Sequence, residues 1–273
     1  MSRYTIYLYD DGASFTNVNL PPLVNYLESM SGQEVIRKKS PVMEAIEKAT
    51  PESKKESLDY AASTFAGCRL REPANRCRHT EPLPAEVEYE KKRLAGGRAT
   101  GLYYEGLEIQ SYYSGLISAG ELGEQYIHIV ITNQLLASWE PNDSRYHARV
   151  VILGYPSLIS IGGLVEGPAK PREYYVERQI FSSLGAPHIA PGRAKRSDQR
   201  RYLHHGDERL TEVLKGPLAQ ALFYHIFGEV FCQDKGCRLF NARWQEELIF
   251  AQLGSSYEFC HVHTEMLRAL RSN

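Results

Sequence analysis

Four residues near the end of the chain form two short-range pairs of potential metal ligands. Cys232 and Cys237 are separated by four residues, Cys260 and His263 by two, and 22 residues lie between the pairs. Pairs of thiolates and imidazoles at these spacings converge on a tetrahedral zinc ion without strain. Four protein ligands leave no position for water, so the pattern predicts one structural zinc per chain. His261 stays an alternative to His263 as the fourth ligand.

The cysteine count and the net charge limit the class of protein. The 273-residue chain has five cysteines, and three of them cluster beside histidines, which favours metal binding in a reducing compartment over disulfides. The formal net charge of −1 argues against electrostatic binding to nucleic acid or to a membrane surface. The polar N-terminus is not typical of a secretory signal and no apolar run is long enough to cross a bilayer, so we expect a cytoplasmic protein.

The order of apolar stretches predicts an α/β fold with a mixed, twisted sheet. Strands are expected near 4–9, 34–39 and 126–132, and a hairpin of strands from 148–154 and 158–166. Helices are expected near 19–30, 106–118, 171–185 and 207–230. The last of these contains Pro217, which predicts a kink or break beside Gly216.

The expected domain organisation is a single domain over residues 1–273. Residues 50–100 are rich in proline, glycine and charge, which indicates a surface insertion. Residues 205–273 are expected to form a helical C-terminal subdomain that holds the zinc.

The segment just before the first ligand carries a second motif. The sequence ALFYHIFGEVFC places His225 and Gly228 immediately before Cys232. This order, completed by the Phe-Cys-x-x-His of residues 259–263, resembles the archaemetzincins, metallopeptidases of the metzincin clan. Their active-site helix carries His-Glu-x-x-His-x-x-Gly-x-x-His and is followed at once by structural zinc cysteines. The resemblance implies a metzincin-like fold over most of the chain and assigns the four predicted zinc ligands to the structural site.

The chain departs from the archaemetzincin motif at three positions that carry its chemistry. Ala221 stands at the first histidine, Leu222 at the glutamate, and Phe231 at the third histidine. A catalytic zinc needs three protein ligands, a water molecule and a base close to that water. We therefore expect a zinc-binding protein with an eroded metallopeptidase site rather than a working zinc protease.

Two alternative functions remain open from the sequence. One is a remodelled hydrolase or peptidase in which His225 acts with His204 or His205, which requires the chain to double back at Pro217; Tyr224, Glu166 and Arg172 are further candidates for such a site. The other is a nucleic-acid-binding or protein-binding zinc module that uses the basic loop at 193–201, although no aromatic residue interleaves with its charges. An unidentified peptide or protein partner is compatible with each interpretation. The sequence contains no signal for an oligomeric state.

Overall fold

The computed structural model describes residues 4–12, 16–72, 74–75, 81–96, 101–183 and 201–272. The strands are β1 (Thr5–Asp11), β2 (Glu34–Lys39), β3 (Tyr103–Glu105), β4 (Tyr126–Thr132), β5 (Leu135–Glu140), β6 (Arg145–Ala148), β7 (Val151–Ile152) and β8 (Ser157–Ser160). The helices are α1 (Leu20–Ser31), α2 (Pro41–Lys48), α3 (Lys54–Gly67), α4 (Pro84–Leu94), α5 (Gly106–Leu116), α6 (Ile161–Glu166), α7 (Arg172–Ser183), α8 (Leu210–Phe227), α9 (Gln245–Ile249) and α10 (His261–Ser272). A π-helical turn, Phe250–Gly254, follows α9.

A five-stranded sheet organises the fold and has the order β2-β1-β4-β8-β7. The first four strands are parallel, and β7 joins the edge antiparallel to β8. A smaller sheet has the order β3-β5-β6. The predicted mixed α/β class is confirmed, as is the strand at 126–132.

Helices cover both faces of the main sheet because its central strands are apolar on both sides. Successive side chains of a strand point to opposite faces. Ile6, Leu8 and Ile129 pack in a core that includes residues of α1 and α8, whereas Tyr9 and Val130 pack in a second core with residues of α2, α3 and α5. No helix within the described ranges combines the length and the apolar character that a membrane span requires.

Residues 50–100, expected as a surface insertion, contain two helices whose apolar side chains pack in the core. Ala61, Ala62 and Phe65 of α3 and Leu94 of α4 are buried in the second core. Charged residues dominate the composition of this segment, but its apolar residues recur at helical spacing on one face. Amphipathic helices of this kind contribute to a core despite a polar average.

The predicted second strand of the 148–166 hairpin ends early. β7 and β8 do form an antiparallel pair, but the chain turns into α6 at Ile161. The Ser160 side chain accepts a hydrogen bond from the Gly163 amide at 2.8 Å, which caps the new helix. Glu166 therefore lies at the end of a helix and not on a strand. The sequence analysis also missed the β5–β6 hairpin that precedes it.

Of the predicted kink or break beside Gly216, the break does not occur, because α8 continues through Gly216 and Pro217. Both are buried, and the proline removes only one hydrogen bond of the helix. A Cβ atom at Gly216 would lie 2.4 Å from Gln252 Nε2, so glycine allows the π-helical turn to approach closely. Burial between the sheet and the C-terminal segment holds the helix together at its proline.

Candidate metal centre

The four predicted zinc ligands meet at the C-terminal end of α8. This helix ends at Phe227 and is capped by Gly228, whose φ of 70° is the left-handed conformation that glycine favours. The chain then passes Cys232 and Cys237, and Cys260 directly precedes α10, which carries His263 in its first turn. The three sulfur atoms and one imidazole nitrogen all lie within 4.8 Å of one another. His263 belongs to this cluster, whereas His261 does not.

The separations within the cluster fit a tetrahedral zinc ion. With zinc–sulfur bonds of about 2.3 Å, two sulfur ligands at tetrahedral corners lie about 3.8 Å apart. The Cys232 and Cys260 Sγ atoms are 3.9 Å apart, and His263 Nδ1 lies 3.5 Å from Cys237 Sγ and 3.0 Å from Cys260 Sγ. Three thiols and an imidazole are a standard structural zinc set. The residues present therefore fit one zinc ion.

Burial makes the thiolate form of these cysteines unfavourable unless a cation is bound. Desolvation raises the pKa of Cys237 to about 12 and also raises the pKa of Cys232. The same effect lowers the pKa of His263, so its imidazole is held neutral. A metal ion reverses this balance for the thiols, because it binds the thiolate form.

Hydrogen bonds around the cluster fix the ligand loop. The Asp234 amide donates to Cys232 Sγ at 3.3 Å, and the Asp234 carboxylate accepts from the Gly236 amide at 2.9 Å and from the Tyr257 hydroxyl at 2.8 Å. Glu229 Oε2 lies 3.8 Å from His263 Nε2, the ring nitrogen on the far side from the cluster. The sequence analysis missed Asp234, Tyr257 and Glu229. The Asp-x-Gly turn between the two cysteines was the available signal for the first.

The positions of the peptidase motif on α8 are part of the hydrophobic core. Ala221 and Leu222 are both 0% exposed and pack in the core beneath the sheet. Phe231, by contrast, is 45% exposed just beyond the helix. A zinc ligand and a general base at the first two positions would have to be polar and to face a cavity with water. The structure offers packed apolar side chains there.

His225 contacts the turn between β7 and β8. Its Nε2 lies 3.2 Å from Ser157 Oγ, and Ser157 in turn donates to the Gly154 carbonyl oxygen at 3.2 Å. Burial, with a smaller contribution from nearby His128, lowers the pKa of His225 to about 4. Ser157 is fully buried, so a substrate cannot reach its hydroxyl. The contact joins α8 to the first residue of β8.

The other candidate residues lie at separate places. His205 Nε2 is 3.3 Å from Glu166 Oε1, and His204 Nε2 is 3.6 Å from Asp207 Oδ2, both near the start of α8. Tyr224 is adjacent to His225 and 38% exposed, and Arg172 is an exposed residue at the start of α7. An unbroken helix of 18 residues is about 27 Å long. The structure therefore does not bring His204 or His205 to His225.

The predicted basic loop falls mainly outside the described residues. Of the residues 193–201 only Arg201 is described, and it forms an ion pair with Glu246. The structure thus adds nothing to the prediction of nucleic-acid binding.

Comparison with known proteins places the chain in a family. No curated protein matches it. The crystal structure of archaemetzincin from Methanopyrus kandleri is similar over 99% of this chain and 97% of that one, with 14% identity and a TM-score of 0.45. The structure of a zinc-dependent peptidase from Methanocorpusculum labreanum is similar over 96% of this chain and 99% of that one, with 13% identity and a TM-score of 0.38. A family model described as "Probable metallopeptidase family (DUF6775)" matches residues 2–270, and the chain belongs to this family.

Proposed function

We propose that this protein is a zinc-stabilised member of the metallopeptidase family that has lost the zinc-dependent hydrolytic site. The proposal rests on a contrast between the metal-ligand cluster after α8 and the motif positions within α8. The four ligands after α8 converge within 4.8 Å, while Ala221 and Leu222, one turn earlier than His225, are buried in the core.

The ligand cluster supports a structural role for zinc. It connects the segment after α8 with the start of α10, and Leu267 and Leu270 of α10 are buried. All four ligands come from the protein, so no position is left for a water molecule or a substrate. When bound, the zinc would supply a cross-link between these two parts of the chain. Its binding free energy would add to the free energy of folding.

The former catalytic helix supports the loss of hydrolysis. At neutral pH, the side chain of His225 is uncharged and lies beside buried Ser157. Leu222 cannot accept a proton, and Ala221 cannot bind a metal ion. His225 alone does not provide the three ligands of a catalytic zinc.

The experiment combines metal analysis with a hydrolysis assay. We expect about one zinc per chain by elemental analysis, its loss in Cys232→Ser, and its retention in Cys68→Ser, which removes a buried cysteine outside the cluster. We also expect no hydrolysis of a library of fluorogenic peptides. Hydrolysis that disappears in His225→Ala would contradict the loss of the active site, and zinc-free protein would contradict the structural site.

A peptide or protein partner remains a prediction. Tyr224 and Phe231 are 38% and 45% exposed near the end of α8, and exposed aromatic side chains are enriched in protein interfaces. Affinity capture with the wild type, compared with a Tyr224→Ser and Phe231→Ser variant, would test this role. Loss of a specific partner in the variant would support it, and equal capture by both proteins would contradict it.

A further inference from the structure

A cavity of about 470 Å³ lies at the edge of the main sheet opposite His225. Its lining includes Asp11 at the end of β1, Lys39 at the end of β2, and Asn133 directly after β4. His225 instead contacts Ser157, the first residue of β8. Since these strands are parallel, the cavity is at their carboxyl ends and the former peptidase helix ends at their amino ends.

The strand order makes this edge a favoured place for a ligand. β1 lies between β2 and β4, and the chain leaves it through α1 to β2 on one side and later returns to β4 on the other. This reversal creates a crevice outside the carboxyl ends of β1 and β4. Ligands of open α/β sheets bind in such crevices, and the volume is within the range of small-molecule sites.

The cavity wall has unused hydrogen-bonding capacity. Among the described residues, six buried side-chain polar atoms lack a hydrogen-bond partner, and three of them belong to residues that line this cavity: Ser40 Oγ, Arg93 Nη2 and Asn133 Oδ1. Ser40 is 2% exposed and Arg93 is 7% exposed. Groups of this kind are rare in folded proteins and call for a partner.

The position of Arg93 is fixed by its other contacts. Its Nε donates to Glu90 at 2.6 Å, and its guanidinium lies 4.4 Å from the centre of the Phe65 ring. Its Nη2 has no hydrogen-bond partner in the protein and belongs to a side chain that is already ordered. When a bound group accepts a hydrogen bond from this nitrogen, the protein loses little conformational entropy.

The nearest helix and Arg93 supply donors for an oxyanion. Each cationic side chain that lines the cavity already has an acidic partner: Arg37 with Asp10, Lys38 with Glu121, Lys39 with Glu47 and Arg93 with Glu90. Ser40 immediately precedes α2, yet its side chain does not cap the helix. Pro41 has no amide hydrogen, so the first-turn donors beside Arg93 are the amides of Val42 and Met43, together with the Ser40 hydroxyl.

We propose that this cavity binds a small hydroxylated organic anion. Its carboxylate or phosphate group would accept hydrogen bonds from Arg93 Nη2 and Ser40 Oγ near the start of α2. A neighbouring hydroxyl of the ligand would donate to Asn133 Oδ1. This site is separate from both the metal cluster and the former peptidase site.

Three probes with the same three-carbon skeleton test the proposal by calorimetric titration at low ionic strength. Glycerol 3-phosphate carries a phosphate, glycerate carries a carboxylate, and glycerol carries neither. We expect at least one of the two anions to bind measurably and glycerol not to bind. The stronger anion identifies the group that the site prefers.

Variants connect the binding to the cavity. Ser40→Ala removes a buried hydroxyl that lies near the Tyr113 hydroxyl, so its unfolding temperature is measured beside its affinity. Arg93→Lys keeps the charge beside Glu90. Each should weaken binding of the preferred anion about tenfold, or about 1.4 kcal/mol. Arg268→Gln, which removes an exposed arginine of α10, should leave the affinity unchanged. The proposal is overturned if neither anion binds more tightly than glycerol, or if Ser40→Ala leaves the affinity unaltered.

Discussion

Replacing Leu222 with glutamate restores the residue type that the peptidase motif has at this position. The replacement should strongly destabilise the protein. Leu222 is 0% exposed in the core beneath the sheet. Removing a buried leucine side chain costs about 2–5 kcal/mol, and a buried polar group without a partner adds about 1–3 kcal/mol. The expected loss is therefore about 3–8 kcal/mol. This is a large share of the 5–15 kcal/mol that typically separates folded and unfolded states.

The pH dependence of the free energy of unfolding distinguishes the effect of the glutamate charge from the effect of its altered shape. Burial would raise the pKa of a glutamate at position 222 above its unfolded value of about 4.3. The unfolded chain then releases its proton first, so stability is lost as the pH rises above about 4.3 towards the raised pKa. At about 1.36 kcal/mol per pH unit, two pH units from 5 to 7 give at most about 2.7 kcal/mol, which is reached when the folded pKa lies above 7. Leu222→Gln has nearly the same shape and does not titrate.

Urea denaturation of both variants at pH 5 and pH 7 provides the measurement. The free energy of unfolding of Leu222→Glu should fall below that of Leu222→Gln by more at pH 7 than at pH 5, with a difference of up to about 2.7 kcal/mol. If Leu222→Glu is as stable as Leu222→Gln at both values, position 222 faces water, and the argument that the active site is now core is refuted.

Four further outcomes follow from the structure. Burial lowers the pKa of His225 to about 4 from an unfolded value of about 6.5. The free energy of unfolding should therefore decrease by at most about 3 kcal/mol as the pH falls from 6.5 to 4. His225→Gln should lack this part of the pH dependence, and identical pH profiles of the two proteins would contradict the contact of His225 with Ser157. Removing metal with a chelator should lower the unfolding temperature of the wild type but not of Cys232→Ser, and an equal effect on both would argue against the cluster. Phe65→Ala should cost about 3–5 kcal/mol by chemical denaturation because Phe65 is fully buried, whereas a surface insertion would tolerate it. Gly12→Ala should cost about 1–3 kcal/mol because Gly12 has a φ of 90° and a Cβ atom there would lie 2.8 Å from Asn133 Nδ2; an unchanged denaturation midpoint would show that the turn relaxes.

The sequence predicted those features that short-range spacing determines. The strand at 126–132 consists mainly of β-branched and aromatic residues, and the two ligand pairs have spacings that only a few geometries satisfy. Cys232 and Cys260 are in contact although they are 28 residues apart in the sequence. A zinc ion needs four ligands and each short-range pair supplies two, so the contact between the two pairs was predictable.

The features that the sequence did not predict depend on tertiary packing. Pro217 normally interrupts a helix, yet burial on the sheet and the close approach of Gln252 keep α8 continuous. The polar average of 50–100 concealed the apolar face of α3, including Phe65. The unpartnered atoms of Ser40 and Arg93 come from elements 53 residues apart, and no local pattern places them at one cavity.

The most direct measurement is the zinc K-edge X-ray absorption spectrum of the purified protein. The account predicts one kind of site, with about three sulfur ligands at about 2.3 Å and one nitrogen ligand at about 2.0 Å. A shell of nitrogen and oxygen ligands without sulfur would place the metal elsewhere, and would contradict the assignment of zinc to Cys232, Cys237, Cys260 and His263.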